Sequence, residues 1–513
     1  MKKTLVRDPG ARFGDLIAIL CVTLVHRVLG QKFLWAPFSF DEHYFLHPGW
    51  SMTKGLVPYR DFQDFKPPMI FVVNWLGVEL FGLDGSGYRQ LLSLLSLGAF
   101  LWVTIALLSR GTNRWFTVSV VALLIHHFFD GGFHDSSINN SESVGLNFMI
   151  MGVGVLLTHT NWVRSQLFLG GCLLALAPMS KEPFALPVVA AWVTLLCMQW
   201  WGSARVGAVK RFVIYTTGGV VFVASVWLGY MLLTQSFGWY IVQFKLNLAY
   251  AGNYAYQMGW FPRNPARGVW GECWHRLREA YINSAHLAIF VPFFAALVAL
   301  WWKCRPLVVA GTVLTLASAV YAVTIGRAFA PHYYIMAMSG VFIYVIVSVI
   351  AIDEQLRTIN GKIYHWVSLS WVVTVLVAVG PRLSDEWEAY STYKPPQPPV
   401  SQADIALVRA YSSPGDRIWT LGDPLLYVYS DRLNAVREGI VIDEIISYHP
   451  GQTDEERLAG QRAELLANRP KLVIFGEDPV SYTRKERYIR SLVRPFLKEA
   501  GYKQISDKLF VRP

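Results

Sequence analysis

Eleven apolar stretches limit what this chain can fold into more than any other feature. They lie near 15–34, 89–108, 115–130, 143–158, 166–180, 183–201, 212–234, 284–302, 306–325, 332–352 and 363–381. Crossing roughly 30 Å of hydrocarbon takes about 20 helical residues. The runs therefore predict an α-helical polytopic membrane protein with about 11 transmembrane helices. Charged residues make up only 16% of the chain, against about 25% in soluble proteins. Its 20 Trp and 24 Tyr suit rings placed at membrane–water interfaces. The first run has no small-residue cleavage site and reads as a retained helix. A shorter run, PPMIFVVNWLGVELFG (67–82), opens with Pro67-Pro68 and reads as an interfacial or re-entrant helix.

Charge sets the expected orientation. Residues 382–513 carry 19 basic and 19 acidic side chains, so the whole net charge of +11 lies in the first 381 residues. With the N terminus in the cytoplasm, every cytoplasmic connector holds Lys or Arg beside a helix end: Arg12, Arg110, Arg164, Lys210, Lys303 and Arg357 are examples. A basic excess confined to the membrane half is the positive-inside pattern, and no nucleic-acid partner is expected. The five cysteines form neither a disulfide framework nor a zinc motif.

The same threading sends 35–88, 131–142, the 180–183 turn, 235–283, 326–331 and everything after 381 to the far side. Most of the out-of-place polar residues lie there, which argues against a transporter with ionisable groups at the bilayer midplane. The expected domains are a membrane part (1–381, with the external loop 35–88 as its chemical centre), a Pro-rich linker (382–400) and an α/β domain (401–513). In the last, DRIWTLG and KLVIFG read as buried strands, DEERLAGQRAELLANR and RYIRSLVRPFLKEAG as helices, and KQISDKLFVRP as a closing strand.

The loop FDEHYFLHPGWSMTKGLVPYRDFQDFKPPMIFVVNWLGVELFG resembles the first external loop of the C-type (GT-C) integral-membrane glycosyltransferases. That group includes the protein O-mannosyltransferases, the lipid A aminoarabinose transferase and the rhizobial galacturonosyl transferases. Matching positions are Asp41-Glu42, Tyr44, Gly55, Pro58-Tyr59, Asp61 and Pro67-Pro68; the family's His before Pro-Pro is Lys66 here. APMSKEPFALP is similar to the family's Lys-bearing turn at Lys181. GRAFAPHYYIMAM is similar to its Arg…Pro-His-Tyr stretch at Arg327, Pro331, His332 and Tyr333.

The resemblance implies a sugar moved from a polyprenyl-phosphate donor to a hydroxyl of an envelope glycan, glycolipid or protein, with inversion at the anomeric carbon. It implies a multi-pass protein of the plasma (inner) membrane, with its C-terminal domain periplasmic. Such chemistry needs a carboxylate to take the acceptor proton and cations to meet charge on the leaving phosphate. Asp41 is the expected base and Glu42 its neighbour or substitute. Lys66, Lys181, Arg327 and His332 are the phosphate-side candidates, and Tyr44, Tyr59, Asp61 and Tyr333 line the substrate. Each has a plainer reading: Asp41-Glu42 caps a short helix after Ser39, and the cations snorkel to water. His134, Asp135 and Glu142 leave a divalent cation open, against a solvated loop with an N-cap at Asn140 or Ser141. No other cofactor is implied. The rival activity is a lipid-linked-sugar flippase or transporter.

Overall fold

The computed structural model describes residues 9–35, 40–62, 64, 66–83, 87–129, 139–158, 163–203, 206–245, 309, 312–318, 335–357, 361–390, 392, 394, 400–437, 454–475 and 493–513. The chain divides into two compact units. One comprises 1–36, 92–226 and 261–394, the other 37–91, 227–260 and 395–513.

Long apolar helices make up the first unit: α1 (Pro9–Trp35), most of α4 (Arg89–Ser109), α5 (Arg114–Phe129), α6 (Ser141–Leu157), α7 (Arg164–Ser180), α8 (Ala185–Ser203) and most of α9 (Val206–Leu233), with further helices at Ile335–Leu356 and Gly361–Tyr390. By length and composition, Arg12–Trp35, Arg89–Ser109 and Val206–Leu233 can cross a membrane, and α5 and α6 are shorter apolar helices. Sixteen residues, as in α5, rise only about 24 Å, which is why a run of that length falls short as a span on its own. The expected span 284–302 lies outside the described residues; within 306–325, residues 312–318 are helical.

Apolar side chains such as Leu16, Leu20 and Leu24 of α1 and Val221, Phe222 and Val226 of α9 are exposed, as a lipid-facing surface requires. Between helices, small residues allow close approach. A Cβ at Gly171 of α7 would sit 2.1 Å from the Thr216 carbonyl oxygen, and one at Gly219 of α9 would sit 2.2 Å from that of Phe168. His26, an ionisable residue inside α1, is buried and meets the Ser96 hydroxyl at 2.7 Å, with Phe100 and Phe129 beside its ring.

The second unit joins the first loop to the C-terminal residues. Its sheet has the order β2-β1-β3-β5-β4, from β1 (Arg417–Thr420), β2 (Leu433–Asn434), β3 (Leu472–Ile474), β4 (Lys503–Gln504) and β5 (Leu509–Val511). β1 runs parallel to β2 and β3, while β5 is antiparallel to β3 and β4. KQISDKLFVRP thus forms a hairpin rather than a single strand. Alternation along β1 and β3 divides the core in two. Trp419, Val473 and Phe475 face one layer, with Leu465 of the helix Asp454–Asn468 and Leu497. Ile418, Leu472 and Ile474 face the other, together with Ile405, Val408, Leu426 and Tyr427.

That second layer also contains Leu46 and Trp50 of α2 (Phe40–Thr53) and Tyr88. The expected external loop is therefore partly a helix that completes the core of the α/β layer. The stretch 67–82 forms α3 (Met69–Phe81), which starts after Pro68 and stops at Gly82 with φ +76°. α2 contains Pro48, and Gly49 lets it lie against α3: a Cβ there would be 2.4 Å from the Cβ of Asn74 and 2.8 Å from the Trp75 nitrogen.

Candidate active site

The first turn of α2 carries Asp41 and Glu42; the side chain of Asp41 lies outside the described residues. Glu42 is completely buried. Its Oε1 accepts from Arg89 Nε at 2.7 Å and from the Tyr88 hydroxyl, and its Oε2 accepts from Arg89 Nη2 at 2.5 Å. A carboxylate without water needs such partners, and a two-pronged guanidinium satisfies both oxygens at once. Burial first, and then the Glu42 charge, push the Tyr88 hydroxyl well above the ordinary tyrosine range, so it stays a donor. The sequence singled out Glu42 but gave no sign of Arg89, which lies 47 residues further on at the head of an apolar helix.

One residue along, His43 Nδ1 meets Asp423 Oδ2 at 2.7 Å, with both side chains buried. His47 is fully enclosed between the rings of Trp50 and Tyr427, with centroids 6.3 and 5.1 Å away. Its Nε2 has no hydrogen-bond partner among the described residues. Burial pushes its pKa down to about 3, so it is neutral at pH 7. Tyr44 is buried on the same helix.

The GLVPYRD segment folds into a closed turn. Gly55 has φ +79° and Tyr59 φ +68°, the latter a left-handed conformation that costs a tyrosine energy and is held only by its surroundings. Tyr59 donates its hydroxyl to the Lys66 carbonyl at 2.9 Å, and its ring lies edge-on to Phe71 and Tyr240. Asp61 accepts from the Val57 N–H at 2.8 Å and from both prongs of Arg60. Burial pulls its pKa upward, but the Arg60 hydrogen bond, the Val57 N–H and the Arg60 charge outweigh that and hold it below the usual carboxylate range. Arg60 also donates to the Thr234 carbonyl at 3.0 Å. The described contacts of Tyr59 and Asp61 thus build the loop. Lys66 places its ammonium 5.8 Å from the Phe45 ring centroid.

In the helical unit, Lys181 caps the C-terminal end of α7 in extended conformation, and a 3₁₀ turn, Glu182–Phe184, follows. Its ammonium meets Glu142 Oε1 at 2.8 Å, and both side chains are buried. A paired, buried ammonium is not a side chain reaching for water. Glu142 Oε2 accepts from the Ser141 hydroxyl at 2.8 Å, and Asn140 caps α6 by accepting from the Ser143 N–H at 2.6 Å. Arg327, His332, Tyr333, His134 and Asp135 lie outside the described residues. Among the described residues no cluster of three His, Cys, Asp or Glu side chains could hold a metal ion.

No protein-family model and no curated protein sequence matches the chain. Solved structures do. The ArnT of Cupriavidus metallidurans bound to undecaprenyl phosphate aligns at 14% identity with a TM-score of 0.51, over 96% of this chain and 97% of that one. The same protein in the apo state aligns at 15% identity and 0.50, over 98% of each. The Archaeoglobus fulgidus oligosaccharyltransferase complex with Zn and sulfate aligns at 12% identity and 0.46, over 82% of this chain; the chain spans 62% of that protein's length. The chain thus shares the fold of ArnT, matched along nearly the whole length of both proteins.

Proposed function

We propose that this chain is a membrane glycosyltransferase that takes a sugar from a polyprenyl-phosphate donor and attaches it to a hydroxyl of an envelope glycan, glycolipid or protein. The observation that carries this reading is the end-to-end fold match to ArnT, a protein solved with undecaprenyl phosphate bound. Two features of the chain support it: the first-loop motif, and a carboxylate turn held rigidly by Arg89 and Tyr88.

In this reading Asp41 is the base. It takes the acceptor hydroxyl proton while the oxygen attacks the anomeric carbon from the side opposite the phosphate, so configuration inverts. The C–O bond to phosphate breaks as the new glycosidic bond forms, and the leaving group departs as polyprenyl phosphate. Glu42 holds the turn that carries Asp41. Lys181, with Lys66, Arg327 and His332, meets phosphate charge as it grows. Tyr44 and Tyr333 contribute substrate contacts. The reaction takes place at the extracytoplasmic face of an inner membrane, with the N terminus inside and the α/β domain outside, an orientation that the basic connectors support.

The test is to incubate the purified protein in detergent with polyprenyl-phosphate sugars and hydroxyl acceptors. Free polyprenyl phosphate appearing together with sugar-modified acceptor is the expected result. Movement of intact lipid-linked sugar across vesicles, with no bond cleaved, would favour the flippase reading instead.

A further inference from the structure

α2 is tied along one side to the C-terminal residues of its own unit. His43 meets Asp423, Leu46 and Trp50 enter the sheet's core layer, His47 lies against Tyr427, and Lys54 pairs with Asp431 at 2.7 Å. Positions 43, 46, 47 and 50 recur at the three-to-four-residue spacing of one helix face, and Lys54 follows directly after the helix. At the start of that face, Asp423 does two things at once. Its Oδ1 accepts the Leu425 N–H at 2.8 Å, fixing the start of the short helix Leu425–Ser430, while its Oδ2 takes His43. Glu42 is held separately by Arg89 and Tyr88, so the turn bearing Asp41 is fastened from two directions.

We propose that Asp423 is a positioning residue for the transfer reaction: through His43 it sets the α2 turn that presents Asp41, making the C-terminal domain part of the catalytic apparatus. The catalytic half of this rests on the function proposed above; the clamp on α2 does not. Asp423 is 380 residues from His43 in sequence, yet both side chains are almost wholly withdrawn from water. Buried hydrogen-bonded groups of this kind hold orientation because leaving either partner unsatisfied is costly.

Asp423→Asn keeps one oxygen for the Leu425 N–H but puts an amide NH2, a donor, where Oδ2 accepts from His43. His43→Leu removes the same contact and leaves the Leu425 hydrogen bond intact, which covers the case in which Asp423→Asn fails to fold. His43→Asn restores an N–H close to the position of Nδ1. In full-length protein, both disrupting variants should lower kcat for transfer about tenfold with donor KM little changed, as expected for loss of one buried contact. His43→Asn should recover most of that rate. Hydrogen exchange at the amides of residues 43–47 should quicken about tenfold in the disrupting variants, while β3 keeps its protection. Wild-type kcat in His43→Leu, or unchanged exchange in α2, would overturn the proposal. If the wild-type protein transfers no sugar, the functional reading and the catalytic role fall together, and the exchange result still decides whether Asp423 holds α2.

Discussion

Two buried ion pairs, one in each unit, are built differently. Glu42 is gripped by a guanidinium fork and a phenol. Glu142 Oε1 meets the Lys181 ammonium, and Oε2 accepts from the Ser141 hydroxyl. A fork fixes direction as well as distance, whereas an ammonium on a flexible stem can turn from one anion to another. The first pair is built as a strut. The second is built like a contact that a competing anion could replace, which suits a lysine proposed to meet phosphate.

The largest effect expected from this contrast lies in the strut. Arg89→Met would leave Glu42 buried without its cation and should destabilise the protein by about 3–5 kcal/mol. Arg89→Met/Glu42→Gln, which removes both charges, should recover much of that loss. Thermal unfolding in detergent reads both, and equal instability of single and double variants would mean that the pair is not the strut described.

At the second pair, Lys181→Met/Glu142→Gln removes the charges together, so the fold should persist while donor use falls. Loss of one charge-assisted contact, worth about 1.5–3 kcal/mol, corresponds to roughly ten- to a hundredfold. Binding of the lipid donor checks this, and wild-type affinity would leave Lys181 with a purely structural role.

The smallest effect concerns pH in the sheet-bound unit. His47 is neutral in the folded state, with a pKa depressed from 6.5 to about 3. Its contribution to stability is therefore complete above about pH 6.5 and is lost as pH falls toward 3. At pH 5 the loss should be about 2 kcal/mol. His47→Gln should flatten the difference in melting temperature between pH 7.5 and pH 5. An equally steep profile in that variant would assign the acid sensitivity to other groups.

Much of the helical unit was legible, because apolar run length is a local property. α1, α4 and α9 follow the expected spans, and α3 lies within the stretch 67–82 set apart by its Pro-Pro opening. Asn140 caps α6, one of the two residues proposed for it. DRIWTLG and KLVIFG contain β1 and β3.

α2 was not legible. Pro48 and Gly49 read as helix breakers in isolation, and only packing against Asn74 and the sheet layer explains why the helix continues through them. The loop's partners were hidden for a related reason. Arg89 and Asp423 are ordinary residues in sequence, and only the folded chain brings them to Glu42 and His43.

The central claim is that Asp41, on the turn held by this strut, takes the proton. Asp41→Asn keeps size and helix-capping ability but cannot accept a proton at neutral pH. Single-turnover transfer by the purified variant, with donor binding measured in parallel, should fall by about 10²–10⁴ while binding and melting temperature stay near wild type. Near-normal transfer by Asp41→Asn would contradict the account.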